Sequence, residues 1–399
     1  MTGDHGIGAR IRALRGRSMT QQQLADAAQV SVDLIRKLEQ GRRHTASITY
    51  LYRIARALDA DVSDLLGRPR PPRTDNRGTP VIVASIRDAL TSIDDLLGEL
   101  DDSDAPSGLA DIERLTTYAW GAYWAGQYAL LAQVLPRLVV ETRAAVHNAA
   151  ADRRGPAADL AAQAHQIAAG ALLRLGALDL AYAAARESLR QVESGHDPFR
   201  EASLCHTLTH VLIRQGRQGD ARRLAVSAAQ DIQGLDGGSH RELVVYGGLL
   251  LRAISAASRG GDTAGAVELM AEAQTAATRV GADRTDYEIS FGPSQAAVQN
   301  TDVHVVSGNY GQALSAARTM PRQGSLPLLS RTRHLADLAL SHARLGHEDR
   351  AVDALLTMER AAPSLMGYQA LPRQVVRELL DNRCQPRLRA LAKRIGVPE

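Results

Sequence analysis

The sequence predicts an all-α protein, and two observations lead to that fold class. Only 4% of the 399 residues are aromatic whereas 45% are hydrophobic, with alanine dominant. This composition favours closely packed helices over sheets rich in aromatic and β-branched residues. In addition, helix-ending glycine turns recur along most of the chain at intervals of 38 to 50 residues. Because 399 residues exceed one compact core, we expect a small helical domain followed by an array of helical hairpins.

Two short helices joined by a tight turn are predicted between residues 20 and 43. Thr20 opens a T-x-x-Q capping box with Gln23, in which the hydroxyl accepts a backbone N–H and the glutamine reaches back. The turn is predicted at residues 28–30, and Ser31 then caps the second helix. Gly41 ends that helix in the left-handed conformation of a C-terminal cap. The inward residues of the second helix recur at helical spacing and are Leu34, Ile35 and Leu38.

The outward face of the second helix is short and polar, and basic residues follow its end. Such a face suits the major groove of DNA, where lysine suits guanine acceptors, aspartate accepts from cytosine and valine contacts the thymine methyl. We expect Val32, Asp33 and Lys37 to face base edges, and Arg36 to contact bases or phosphates. Phosphate contacts are expected from Thr20, Gln21, Arg42 and Arg43, and Ser31 at the helix start completes the predicted set.

The segment from Ile7 to Leu66 resembles the XRE-type, lambda-repressor-like helix-turn-helix domains. The pieces that carry the resemblance are RIRALR, TQQQLA, SVDLIRKLEQGRR and LYRIARALDADVSDLL. It implies five helices with the third as the DNA reader. The link between the first two helices is about one residue shorter than usual, which leaves the placement of Arg12 and Arg15 open.

Composition divides the chain into four predicted segments. Residues 1–67 form the helix-turn-helix domain, and residues 68–80, rich in proline and arginine, form a semi-extended linker. Residues 81–104 form a heptad-patterned helix, and residues 109–399 form the helical-repeat domain. Residues 1–80 hold 14 Arg and Lys against 8 Asp and Glu, while the whole chain carries only +3. A basic N-terminal part on a mildly acidic remainder fits a DNA-binding head on a body that avoids DNA.

The heptad pattern extends over about two and a half repeats. A seam this short is compatible with two roles. It could pair with the same helix of a second copy of the chain, or it could cap the following domain. The apolar residues of the seam are Val83, Ile86, Leu90, Ile93, Leu97 and Leu100.

From residue 109 onward, a glycine followed five residues later by a small or apolar residue recurs between helical stretches. The glycine would end one helix. The small residue would lie near the start of the next helix, where it allows the two helices to approach closely. The array resembles tetratricopeptide-like hairpins with repeats longer than that family's ~34 residues; this implies an α-solenoid whose first helices line a concave side. The pairs are Gly126/Leu131, Gly176/Ala181, Gly216/Ala221, Gly261/Ala266, Gly308/Ala313 and Gly346/Ala351.

One irregular loop, at residues 281–293, interrupts the array and ends in Phe-Gly-Pro. An aromatic residue beside polar helix residues is typical of a ligand wall. Alternatively, Phe291 fills a gap where the array is widened by a long connection, and we favour this packing role. The candidate effector-binding residues are Tyr287, Phe291, Gln295 and Gln299.

The sequence contains no candidate set of catalytic residues. The phosphate-binding loop, the G-x-S-x-G elbow and the H-E-x-x-H pattern are absent. Cys205 and Cys384 lie far apart, and His206 with His210 lacks further metal ligands. We expect no enzyme activity, no cofactor and no metal, and, without an apolar span or leader, a cytoplasmic location.

Together these features predict a sequence-specific DNA-binding transcriptional regulator. The layout resembles bacterial regulators that fuse an XRE head to a tetratricopeptide-like domain, some of which sense signalling peptides and others small molecules. The expected partners are an inverted-repeat operator in double-stranded DNA, a second copy of the chain, and a peptide or small-molecule effector. The alternative is a DNA-tethered scaffold that recruits a protein partner through its repeats.

Overall fold

The computed structural model describes residues 7–16, 19–43, 48–58, 78–93, 108–192, 197–321, 326–366, 369–382 and 386–397. These residues are overwhelmingly helical, which confirms the all-α prediction. The chain separates into two compact units at Gly78. Among the described residues, no helix is long and apolar enough to cross a membrane.

The N-terminal unit contains the two predicted helices and their caps. Thr20 Oγ1 accepts from the backbone N of Gln23 at 3.1 Å, while Gln23 Oε1 accepts from the backbone N of Thr20 at 2.8 Å. Ser31 Oγ likewise accepts from the backbone N of Leu34. The fifth predicted helix lies outside the described residues. The described helices are α1 (Ile7–Arg15), α2 (Gln21–Ala28), α3 (Val32–Glu39) and α4 (Ile48–Ala57).

A buried ion pair fixes α3 against α1 and α2. Glu39 on α3 accepts from Arg15 Nε at 2.8 Å and from Arg15 Nη2 at 3.1 Å, and Gln21 Nε2 donates to it at 2.7 Å. Burial acts to raise the pKa of Glu39, but the hydrogen bonds from Arg15 and Gln21 outweigh it and hold the pKa below its usual value. Gly8 lets α1 approach this end of α3, because a Cβ there would lie 1.7 Å from the Leu38 carbonyl oxygen.

Replacing Glu39 with glutamine should loosen α3. The side chains of Glu39 and Arg15 are only 3% and 14% exposed. The substitution removes the counter-charge of the Arg15 guanidinium, which keeps its bond to the Met19 carbonyl, at a cost of about 3 kcal/mol. Hydrogen exchange of the α3 amides in the full chain should therefore accelerate about 100-fold. Asp111→Asn, which breaks an exposed pair with Arg114, is the control and should leave amide exchange in its own helix, Leu109–Trp124, within about fivefold of wild type. Unchanged α3 exchange in Glu39→Gln would contradict the role of this pair.

The second unit is a series of helical hairpins with one strand pair inserted. The helices and strands are α5 (Gly78–Leu90), α6 (Leu109–Trp124), α7 (Tyr128–Asn148), α8 (Arg154–Arg174), α9 (Leu178–Gln191), α10 (Pro198–Arg214), α11 (Gln218–Ile232), α12 (His240–Arg259), α13 (Thr263–Val280), β1 (Arg284–Asp286), β2 (Ile289–Phe291), α14 (Pro293–Val306), α15 (Tyr310–Ala317), α16 (Leu328–Arg344), α17 (Glu348–Ala361), α18 (Pro363–Met366), α19 (Ala370–Asn382) and α20 (Pro386–Ile395).

Six hairpins use the same turn, which confirms the predicted repeat. In each turn the glycine has φ between 68° and 82°. Its N–H bonds to the carbonyl three residues back, and the next N–H bonds to the carbonyl five residues back, as in a Schellman motif. The small or apolar residue five positions after each glycine is 0% exposed, because the two helices cross there. The six turn glycines are Gly126, Gly176, Gly216, Gly261, Gly308 and Gly346, and the six buried residues are Leu131, Ala181, Ala221, Ala266, Ala313 and Ala351.

Helix α5 caps the array and is shorter than the predicted heptad helix. It begins at Gly78, inside the predicted linker, and ends at Leu90. Val83 and Ile86 pack into the same core cluster as the first hairpins, and Ser85 Oγ donates to the Ala132 carbonyl at 2.9 Å. The seam residues Val83, Ile86 and Leu90 thus pack in their own chain and are unavailable to a symmetry mate. Of its remaining residues, Ile93 is 55% exposed, and Leu97 and Leu100 lie outside the described residues.

The predicted irregular loop at residues 281–293 is instead a β-hairpin. Strands β1 and β2 pair antiparallel, with Arg284 opposite Phe291. The hairpin lies on α12 where two adjacent glycines remove the side chains that would block it. A Cβ on Gly247 would lie 2.2 Å from the Phe291 ring, and one on Gly248 would lie 2.2 Å from Ile289. The strand signal was missed because three residues are too few to show an alternating pattern.

Gly247→Ala should destabilise the second unit. The new methyl would overpack against the Phe291 ring at a cost of about 1–3 kcal/mol. The matched control is Gly121→Ala on α6, where nothing lies within 4 Å of the added Cβ and the change should stabilise the helix by about 0.5–1 kcal/mol. Thermal unfolding of the full chain compares the two. Equal midpoints for the two variants would show that the hairpin is not seated on α12.

The end of the array closes onto its beginning. Leu329, Ala362 and Leu365 belong to the core cluster of the first hairpins. Leu365 approaches the first turn so closely that a Cβ on Gly126 would lie 2.6 Å from its methyl group. The helices of the second unit therefore surround a central space.

Candidate DNA-binding face and central hollow

The outward face of α3 carries an ion pair between two predicted base-reading residues. Lys37 Nζ lies 2.7 Å from Asp33 Oδ2, one helical turn away. The two side chains are 51% and 58% exposed. The hydrogen bond from Lys37 lowers the pKa of Asp33. Exposed pairs of this kind contribute little stability, so DNA can compete for either partner.

The other predicted DNA-binding residues fall into two groups. Arg36, Arg42 and Arg43 are exposed beside this pair. Four further residues have structural roles in the free protein. Val32 is half-buried and packs against the core of the N-terminal unit, and the Gln21 amide is bonded to Glu39. The Thr20 and Ser31 hydroxyls cap their helices while both residues remain exposed.

The first helices of all six hairpins line one cavity, which we call the hollow. Its volume is about 210 Å³. The resemblance stated above implies this placement of first helices, and the structure confirms it. One wall of the hollow is aromatic. Trp120 and Trp124, the only tryptophans of the chain, stack with ring centroids 6.3 Å apart, and Tyr123 meets Trp124 edge-on at 5.1 Å.

Another part of the hollow, next to the aromatic wall, is basic. Asp302 accepts two hydrogen bonds from the Arg259 guanidinium, each 2.9 Å long, and it also accepts one from Arg333. Burial acts to raise the pKa of Asp302, but Arg333 and Arg259 outweigh it and lower the pKa. This network joins α12, α14 and α16 across the hollow. The arginines of the lining are Arg174, Arg214, Arg252, Arg259 and Arg333.

Two half-buried histidines lie among these arginines. Arg252 Nε donates to His206 Nε2 at 3.0 Å, which requires that nitrogen to be unprotonated. Burial, with Arg252 nearby, moves the pKa values of His206 and His210 well below the usual value. Both imidazoles are therefore neutral at pH 7. Cys205 beside them is buried, and burial raises its pKa to about 12. Cys384 lies outside the described residues.

The tip of the β-hairpin reaches into the hollow in a strained conformation. Tyr287 and Glu288 form its two-residue turn with φ of 48° and 61°, a region that glycine and asparagine usually occupy. Contacts hold the tip in place. The Tyr287 hydroxyl donates to Asp197 at 2.5 Å, Ser203 donates to the Tyr287 carbonyl at 2.6 Å, and Trp124 Nε1 donates to Glu288 at 3.0 Å.

The four predicted effector-binding residues do not form one wall. Phe291 is 0% exposed and packs against α12, so its place in the candidate site was wrong and the packing alternative is correct. Tyr287 lies at the hairpin tip, and its ring faces Arg200 and Asp197 rather than the hollow. Gln295 and Gln299 do line the hollow. Gln295 donates to Ser330 at 2.9 Å and Gln299 to Asp302 at 3.3 Å.

The aromatic and basic residues of the hollow were missed, although the repeat contained a signal for them. In the first four hairpins, the positions two and six residues before the turn glycine lie one helical turn apart and line the hollow. They hold Trp124 and Trp120 in the first hairpin. In the next three hairpins the position two residues before the glycine is always arginine, namely Arg174, Arg214 and Arg259. Aligning the hairpins on their glycines would have shown this.

The comparisons with known proteins agree with the N-terminal geometry. Residues 7–66 match the family described as a helix-turn-helix domain. The chain is thus a DNA-binding transcription regulator in which a helical-repeat domain follows that domain.

Among solved structures, the chain is similar to PlcR of Bacillus thuringiensis, in a crystal structure with the peptide PapR7 and DNA. The identity is 14% and the TM-score 0.32, over 69% of this chain and 96% of that chain. A comparison with curated proteins finds no match.

Proposed function

We propose that this regulator reads an operator with the outward face of α3, as a homodimer, under control of an effector bound in the hollow. The observation that carries the proposal is the two-sided construction of α3. Leu34, Ile35 and Leu38 are at most 6% exposed and anchor the helix from behind. Asp33 and Lys37 stand outward, where base edges in a major groove would meet them.

The basic residues that follow α3 support phosphate contacts. Arg42 and Arg43 are exposed directly after Gly41, and Arg36 is exposed on the same helix. Phosphate contacts fix register without reading sequence, whereas Lys37 can read guanine acceptors in the groove. On binding, Lys37 would exchange Asp33 for a base, which frees Asp33 to accept from cytosine. Base recognition and phosphate binding are thus assigned to different residues.

Lys37→Ala and Arg43→Ala should weaken DNA binding in different ways. Once an operator has been selected from random duplexes, Lys37→Ala should lose about 1–3 kcal/mol at one base position and relax the preference there. Arg43→Ala should weaken operator and scrambled DNA alike and reduce the salt slope by about one. Binding titrations at several salt concentrations measure both effects.

Lys393→Ala, at the only other lysine of the chain, is the control and should bind as wild type. Equal losses on operator and scrambled DNA for Lys37→Ala would refute its base-reading role.

We expect two helix-turn-helix domains per operator, because a single α3 contacts few base pairs. A single α3 presents three or four side chains to the bases, too few for genomic specificity, so two half-sites ~34 Å apart or a multiple of it are expected. Because α5 is packed on its own array, we place the dimer contact elsewhere on the chain. Light scattering on the full chain, alone and with operator duplex, should give two copies per duplex. A single copy per duplex at micromolar concentration would contradict the homodimer.

Effector control follows from the closure of the array. Ligand bound in the hollow would contact α6, α10 and α12 together, so it would favour one spacing of the hairpins over another. A small concave hollow lined by polar and aromatic residues supports a sensor more than a scaffold, whose partner would need a larger surface. We also propose that the protein is not an enzyme, since the hollow pairs its carboxylates with arginine and tryptophan rather than with a nucleophile or an acid–base partner.

A further inference from the structure

Three arginines of the hollow have no acidic partner. Asp302 and Asp337 satisfy Arg259 and Arg333, and Glu288 accepts from Trp124. Among the described residues, no carboxylate forms an ion pair with Arg174, Arg214 or Arg252. Arg252 bonds only to the neutral His206, and Arg174 Nε is buried without a hydrogen-bond partner.

This clustering of positive charge is costly in the unliganded protein. Arg174 and Arg252 are half-buried and Arg214 is exposed. A guanidinium partly removed from water is unfavourable unless it is paired, and like charges nearby add repulsion. Burial, reinforced by Arg174, lowers the pKa of Arg252 to about 10. Burial and Arg174 also lower the pKa of Arg214. An anion placed among the three guanidinium groups would remove both penalties and could accept several charge-assisted hydrogen bonds.

The aromatic wall lies within the same hollow. Trp120 is 7% exposed and Tyr123 9% exposed, and their indole and phenol rings offer flat apolar surface next to the arginines. The Gln166 Oε1 atom, also in the lining, is buried without a donor. The volume of about 210 Å³ lies below the range of about 300–1,000 Å³ that drug-sized ligands occupy. It fits a small molecule better than an extended peptide.

We propose that the effector is a small organic acid with a planar apolar body. Its carboxylate lies among Arg174, Arg214 and Arg252, and its flat part packs on Trp120 and Trp124. This inference rests on the proposed effector function and deepens it by naming the ligand class. A peptide would share the carboxylate with such an acid, because its C-terminus presents the same group to the three arginines.

The test uses thermal unfolding of the full chain with matched probes. A panel of aromatic carboxylates, beginning with indole-3-acetate, is compared with the corresponding uncharged amides such as indole-3-acetamide. At saturation the acid that fits should raise the midpoint by about 4 °C, and its amide should bind at least tenfold more weakly. Peptides with free and amidated C-termini form a second arm. A shift from peptides alone, or equal shifts from acids and amides, would overturn the inference, as would no shift from any acid.

Substitutions separate a binding role from a structural one. Arg174→Gln and Arg214→Gln should each weaken binding of the acid at least tenfold. Each should also raise the midpoint of the unliganded chain, because a repelling charge is removed. The matched control is Arg344→Gln. Arg344 occupies the same position two residues before a turn glycine, Gly346, but lies outside the hollow and pairs with Glu378. Its variant should bind the acid as wild type does. Loss of stability with unchanged acid binding in Arg174→Gln and Arg214→Gln would overturn the assignment.

DNA titration with and without the bound acid distinguishes the two proposals. If the acid binds but operator affinity is unchanged, the ligand class stands and effector control fails. If a C-terminally amidated peptide binds and changes operator affinity while no acid does, effector control stands and the ligand class fails.

Discussion

The helical-repeat domain depends on one local constraint, the left-handed glycine that ends the first helix of each hairpin. With φ near 75°, this residue lets the chain reverse within a few residues. The small side chain five positions later is then buried where the two helices cross. The same turn is used six times, and in the first four hairpins it places equivalent positions of the first helix in the lining of the hollow. The composition of the hollow follows from this repetition.

Repetition of geometry does not mean repetition of chemistry. The position two residues before the turn glycine holds tryptophan in the first hairpin, arginine in the next three, and valine at Val306 in the fifth. The array thereby sets an aromatic wall against a basic one. Asp302 and Asp337 offset only the charges of Arg259 and Arg333, and the remaining positive charge lies in the hollow. Stability alone does not favour such an arrangement, which is why we attribute it to ligand binding.

The helix-turn-helix domain shows the same division between framework and exposed chemistry at smaller scale. The buried bond between Arg15 and Glu39 holds α1 to α3, and Gly8 allows their close approach. The weak pair of Asp33 with Lys37 lies outside this framework. The residues that determine stability and those assigned to DNA are therefore largely different. The exceptions are Gln21 and Val32, which also contact the framework, and Thr20 and Ser31, which cap α2 and α3.

The sequence by itself determined the local structure: the Thr20 capping box, the Ser31 cap, the buried face of α3 and the six glycine turns. These are set by residues within one or two helical turns of each other, so spacing along the chain is enough to predict them. Tertiary structure decided the rest. It buried Phe291 on the double glycine of α12, turned the seam of α5 onto its own array, and brought Trp120 within one hollow with Arg174 and Arg252. Those contacts join residues dozens to more than a hundred positions apart, and only the curvature and closure of the array select them.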